Sequence, residues 1–198
     1  MHPRARHRIF VAYLIAAGVI SSSASAATSG PVIVTLSPPR DSQDAERGII
    51  EVSIRNEGNT PIYMFSPSTF ANKIFVNVLC IRDASGGVAE HRINPGKIIA
   101  SPEAFTRIDP HGELRHTVDL DYIYALPDGP VDITYSPQSY FERPPDNRDP
   151  VDTTAGKTRS NDLRVWVNRS LLRPASEHPY WGSEISKNPQ CEPRTQAR

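Results

Sequence analysis

No stretch beyond residue 20 is apolar for long enough to cross a bilayer, which takes about 20 consecutive apolar residues in a helix. Cysteine occurs only twice in the 198 residues, which excludes the small scaffolds held by many disulfides. There is no excess of either charge, with 22 basic against 22 acidic residues. Basic stripes with interleaved aromatics are missing too, so the electrostatic footprint of a nucleic-acid binder is absent. His-Glu-x-x-His, Gly-x-Ser-x-Gly, a phosphate-cradling glycine loop and Cys-x-x-Cys do not occur. Each would supply a metal pair, an activated serine, an anion nest or a redox pair at a fixed spacing. The chain therefore reads as a non-enzyme, with no catalytic residue, no cofactor and no metal site.

What is present begins with an export signature. Arg4, Arg6 and Arg8 form a basic head, residues 9–20 a short apolar middle, and Ala24-Ser25-Ala26 a small-x-small exit. These are the three parts of a secretory signal peptide, read here as residues 1–26, and they predict a secreted or periplasmic protein. No cysteine follows the exit, so a lipoprotein anchor is not indicated. Cleavage would remove three basic residues and no acid, leaving a mildly acidic chain of about 172 residues, enough for one domain.

Nineteen prolines punctuate the sequence, so the segments between them must be short, which suits strands better than helices. Those segments are rich in β-branched and aromatic residues. Ile50, Val52 and Ile54 alternate with Glu51, Ser53 and Arg55, and Leu163, Val165 and Val167 with Arg164, Trp166 and Asn168. Such alternation puts one face in a core and one in water. Further strands are expected at residues 32–36, 62–65, 105–108, 114–120 and 131–135. The run 74–81 is apolar on nearly both faces and reads as a central strand. Only residues 121–126 look like a helical turn. Residues 27–173 are thus an all-β, immunoglobulin-like antiparallel β-sandwich. Within it residues 140–162, poor in apolar side chains, are expected to be a long exposed loop, and residues 174–198 an irregular C-terminal tail.

The segments Val52-Ser53-Ile54-Arg55-Asn56-Glu57-Gly58-Asn59-Thr60-Pro61-Ile62-Tyr63 and Phe105-Thr106-Arg107-Ile108-Asp109-Pro110-His111-Gly112-Glu113-Leu114, followed by Val118-Asp119-Leu120-Asp121-Tyr122-Ile123-Tyr124 and Val131-Asp132-Ile133-Thr134-Tyr135, carry a family likeness. This stretch, under half of the chain, resembles the N-terminal β-sandwich domain of deuterolysin-like and peptidyl-Lys zinc metallopeptidases. The catalytic part of that family, with its zinc-binding helix, has no counterpart here. The resemblance implies an accessory module without peptidase activity.

Two cysteines in an oxidising compartment invite pairing, and a Cys80–Cys191 disulfide is expected to pin the tail to the sandwich. The alternative is a buried free Cys80 with Cys191 elsewhere. Aromatics gather at two places, Tyr135, Tyr140 and Phe141 before the long loop and Trp166, Tyr180 and Trp181 toward the tail. Exposed aromatics anchor interfaces, so these six form the expected partner surface, with core packing as the alternative. His91, His111, His116 and His178 lack metal-ligand spacing. Asp146, Asp149 and Asp152 lie in the acidic loop but without the glycine and glutamate of a calcium loop. Asp119 and Asp121 could do acid–base work if buried together, the alternative being an ordinary solvent face. The function expected is a binding module for a protein partner, such as a peptidase that it assists or restrains. The rivals are a small hydrolase or metal-binding protein with a site assembled from dispersed His and Asp residues, and a structural subunit of an envelope assembly.

Overall fold

The computed structural model describes residues 31–71, 76–93, 101–146, 152–174, 177 and 191. The expected signal peptide, residues 1–26, lies outside them, as do Tyr180, Trp181, His178 and Asp149.

The protein is an all-β sandwich. Its first sheet runs in the order β10-β1-β2-β6, formed by Arg159–Ser160, Val32–Ser37, Ile49–Asn56 and Glu113–Asp119. A second, β11-β7-β4, comprises Asp162–Val167, Gly129–Tyr135 and Leu79–Asp83, and a third, β5-β3-β8-β9, comprises Phe105–Ile108, Ile62–Phe65, Ser139–Phe141 and Thr154–Lys157. All pairings are antiparallel except β1 with β10. Period-two patterning does the folding: Val32, Val34 and Leu36 of β1, Ile50, Val52 and Ile54 of β2, and Val131, Ile133 and Tyr135 of β7 are buried in one core. Each aliphatic side chain of this kind contributes about 1.5–3 kcal/mol when taken out of water.

Three local devices position these layers. Gly48, at φ +78°, turns the short helix α1 (Ser42–Glu46) into β2, and a Cβ there would run into Leu126. At the end of β2, the fully buried Asn56 side chain fills the break before β3 and bonds the backbone of two loops. Between β10 and β11 the chain changes sheets at Asn161, whose side chain accepts the Leu36 N–H at 2.8 Å and donates to the Leu36 carbonyl at 2.9 Å. It behaves as one more strand residue beside β1 while the backbone crosses to β7.

Three expectations are corrected. Of the central strand expected over residues 74–81, residues 74 and 75 lie outside the described residues; 76–78 are not strand, and β4 begins at Leu79 and, among the described residues, stands at the edge of its sheet, paired with β7 alone among the named strands. Its second apolar face has another reason, because Cys80 there meets Cys191 at disulfide distance. The segment 140–162 is not simply an exposed loop. Tyr140 is buried and pairs with Met64, while β9 and β10 return through it. Its low apolar content hid these strands because Gly156 lies opposite Tyr140, so that ring packs against bare backbone with no side chain in the way. The helix α2 (Leu120–Ile123) starts one residue before the expected turn, capped by the Asp119 carboxylate, which accepts the Tyr122 N–H.

Candidate functional site

The outer face of the β1-β2-β6 sheet forms an open groove of about 530 Å³. Strand register builds it in rows: Ile33, Arg55 and Glu113 stand side by side, then Thr35, Ser53 and Arg115, then Ser37, Glu51 and Thr117. These are the polar halves of alternating strands whose other halves make the core. Arg40 and Glu57 close the rim. Ser53 Oγ donates a short hydrogen bond to Glu113 Oε1, and Arg115 Nη2 lies 3.0 Å from Glu113 Oε2. The Ser53 hydroxyl first, then the Arg115 guanidinium, holds the Glu113 carboxyl below its usual range. Neither one sign of charge nor an apolar floor dominates, so the groove suits a partner with interleaved charges and not a single anion or a greasy small molecule.

The four described residues of the expected aromatic surface do not share one face. Tyr135 and Tyr140 are core residues, 1 % and 2 % exposed, because both point inward from their strands. The Tyr135 hydroxyl donates to the Ser68 carbonyl at 2.9 Å, and its ring meets Phe70 edge-on. Trp166 is 62 % exposed on the outer face of β11. Phe141 is half-buried beside Phe105, with ring centroids 5.5 Å apart, and Phe105 lies 5.7 Å from Phe65. Tyr63, opposite Phe141, shares this outer face of the third sheet. That cluster escaped the sequence reading, although alternation in residues 62–65 and 105–108 carries the signal.

The carboxylate pair Asp119 and Asp121 is taken up by Arg173. Its guanidinium makes a short ion pair with Asp119 Oδ2, and its backbone N–H donates to Asp121 Oδ2 at 2.9 Å. This arrangement is a latch on the chain leaving the sandwich, which corrects the picture of two acids on one strand face: Asp121 belongs to α2 and is buried. Asp152 caps its own turn by accepting the Thr154 N–H at 2.9 Å. His91 is buried, His116 half-buried, and His111 exposed in a turn at φ 57°. Among the described residues no three His, Cys, Asp or Glu side chains gather as metal ligands. Cys80 and Cys191 lie at disulfide distance, with Cα atoms 5.4 Å apart. Among the described residues no helix is long and apolar enough to cross a membrane.

Fold and groove together define an all-β sandwich with a polar, mixed-charge sheet face. No protein-family model matches the chain, and no curated protein matches it either.

Proposed function

We propose that this protein is a non-catalytic binding module that works outside the cytoplasm, in the periplasm or beyond, and holds a protein partner on the outer face of the β1-β2-β6 sheet. The observation that carries the reading is the open groove in which Arg40, Arg55 and Arg115 alternate with Glu51, Glu57 and Glu113. Interleaved charge on a broad strand face favours a partner with the complementary pattern and repels ligands of one sign. The export signature and the cysteine pair at disulfide distance support the compartment. Resemblance to the sandwich domain of deuterolysin-like peptidases supports a peptidase as one partner, which the module would assist or restrain.

The test is chemical cross-linking in an envelope extract or culture supernatant, comparing the native protein with Arg55→Glu. A partner held by the native chain and lost by the charge reversal is the expected outcome. Recovery of no partner, or equal recovery with both, removes the reading.

A further inference from the structure

Strand β6 is the edge of its sheet: Glu113–Asp119 pairs with β2 on one side, and among the described residues no strand lies on the other. The phase of the ladder shows which of its backbone groups face away from β2. Two hydrogen bonds bracket it, from Asn56 N–H to the Gly112 carbonyl at 3.0 Å and from Leu120 N–H to the Gly48 carbonyl at 2.9 Å. Bonded and non-bonded pairs alternate along an antiparallel ladder. Leu114, His116 and Val118, opposite Ile54, Val52 and Ile50, therefore turn their backbone groups to β2. The N–H and C=O groups of Glu113, Arg115 and Thr117 point the other way, along the open edge.

The inward side of the same strand is incompletely covered. Ile50, Val52 and Ile54 are at most 1 % exposed, whereas Leu114 and His116, directly beside Ile54 and Val52, are only half-buried. His116 Nε2 is out of water and, among the described residues, has no hydrogen-bond partner. Among the described residues, a buried polar atom without a partner, a half-covered leucine and a backbone edge with no strand beside it thus coincide on one strand. A single added strand would satisfy all of them.

We infer that β6 takes an extended segment of the protein partner as an extra strand of the β10-β1-β2-β6 sheet. This rests on the binding-module reading and specifies how the partner is held. The segment's chemistry follows from the positions it must meet. An apolar side chain covers Leu114, a hydrogen-bonding one reaches His116 Nε2, and on the groove side an acid faces Arg115 and a base faces Glu113. A second copy of β6 fits poorly. Placing its Glu113 opposite Arg115 would set its His111, in the turn before the strand at φ 57°, opposite Thr117. Only residues 113–115 would then pair, whereas a partner segment can run the length of the strand.

The test adds a synthetic heptapeptide, valine alternating with glutamate and lysine, to the purified protein and follows amide exchange and chemical shifts. Protection of the Glu113, Arg115 and Thr117 amides with a shift of the His116 Nε2 resonance is expected. Arg115→Pro deletes an outward N–H without removing a bond to β2, a place where an edge strand tolerates proline. It should weaken peptide binding about tenfold or more, while Arg115→Ala, which keeps the N–H, loses no more than about threefold. Thr117→Pro reads the same property should the first proline variant misfold. Equal binding by the folded proline variant, no binding by the native protein, or protection mapping to β4 or β11 overturns the inference. Dimerisation abolished by Arg115→Pro overturns it as well, by making a second copy the occupant. A partner that cross-links to native protein and Arg115→Pro alike, but not to Arg55→Glu, removes the added strand and leaves the binding module standing.

Discussion

His91 rests edge-on against Tyr124, with ring centroids 5.1 Å apart and planes inclined at 70°. Both side chains are out of water, at 2 % and 1 % exposure. The Tyr124 hydroxyl finds partners, accepting the Leu79 N–H at 3.2 Å and lying 3.3 Å from Asn77 Oδ1. Among the described residues neither His91 ring nitrogen lies in hydrogen-bond geometry to a partner. The contact therefore holds the imidazole neutral inside an apolar wall.

That burial makes stability depend on pH. Desolvation pushes the His91 imidazole down to about 4, opposed only weakly by the Ile93 backbone. Unfolded, the group takes up a proton near its ordinary value of 6.5. Between these two values the unfolded chain binds more protons, so stability falls as pH drops from about 6.5 to about 4 and is flat, for this group, on either side. At about pH 4.5 the loss relative to neutrality should be about 2–3 kcal/mol. His91→Phe keeps a ring against Tyr124 and removes the titration. Urea midpoints at the two pH values should converge in that variant, apart from a remainder due to His116, which burial shifts in the same direction. An unchanged slope would place the pH sensitivity elsewhere.

Asn56 is expected to be the most sensitive polar residue in the sandwich. Its Nδ2 shares two N–H groups among the carbonyls of Thr60, Ile108 and Asp109 at 2.8, 3.2 and 3.1 Å, and its Oδ1 accepts the Gly58 N–H at 3.0 Å. Replacing it with alanine strands the buried Ile108 carbonyl and the part-buried carbonyls of Thr60 and Asp109, at the junction of β2 with β3 and of β5 with β6. The cost should be about 2–4 kcal/mol. Asn56→Asp should be no milder, since it turns an acceptor toward three carbonyls. Denaturant midpoints read both, with an unchanged m-value marking a pure stability effect.

What sequence reveals of this fold follows from side-chain period. The strands around Ile50, Val131 and Val165 were legible because their inward residues are large and their outward ones polar. Strands β8, β9 and β10 were not, since they are short, contain Gly156 and Ser160, and stay in place by pairing and by the single buried ring of Tyr140. The groove was half visible. The outward positions Glu51, Ser53, Arg55 and Arg115 follow from alternation, but their assembly into rows with Ile33 and Thr35 depends on a register that no local pattern encodes. Tyr135 and Trp166 show the same limit from the other side. Both are aromatic strand residues near turns, and only the direction each takes from its sheet makes one core and the other surface.

The cysteine pair can be tested without reference to function. Cys80 and Cys191 are 111 residues apart in sequence, so bonding them closes a long loop in the unfolded chain. On the loop-entropy account this stabilises by up to about 4–5 kcal/mol. Thiol titration of native protein should find no reactive cysteine. Cys80→Ser, Cys191→Ser and the double variant should all lower the denaturation midpoint by the same amount, because a lone cysteine has nothing left to bond. Additive effects of the two single changes would mean that the residues act separately and that the bond does not form.

Arg173 should prove a structural anchor whose loss loosens the exit from the sandwich. Its guanidinium is about one-third exposed, as is Asp119, whereas the Asp121 side chain is only 4 % exposed. Removing the arginine side chain takes away the guanidinium 3.9 Å from that buried carboxylate and leaves the backbone N–H in place. A fully buried pair broken in this way costs about 3–5 kcal/mol, and partial exposure of two of the three groups brings the expectation for Arg173→Ala to about 1–3 kcal/mol. Asp121→Asn retains an acceptor for the Arg173 N–H and should cost less. In a double-mutant cycle with Asp119→Asn the two losses should be less than additive, because Asp119 and Arg173 share one bond. Additive losses, or an Arg173→Ala midpoint equal to that of the native protein, would show that the acid pair holds its place without the latch.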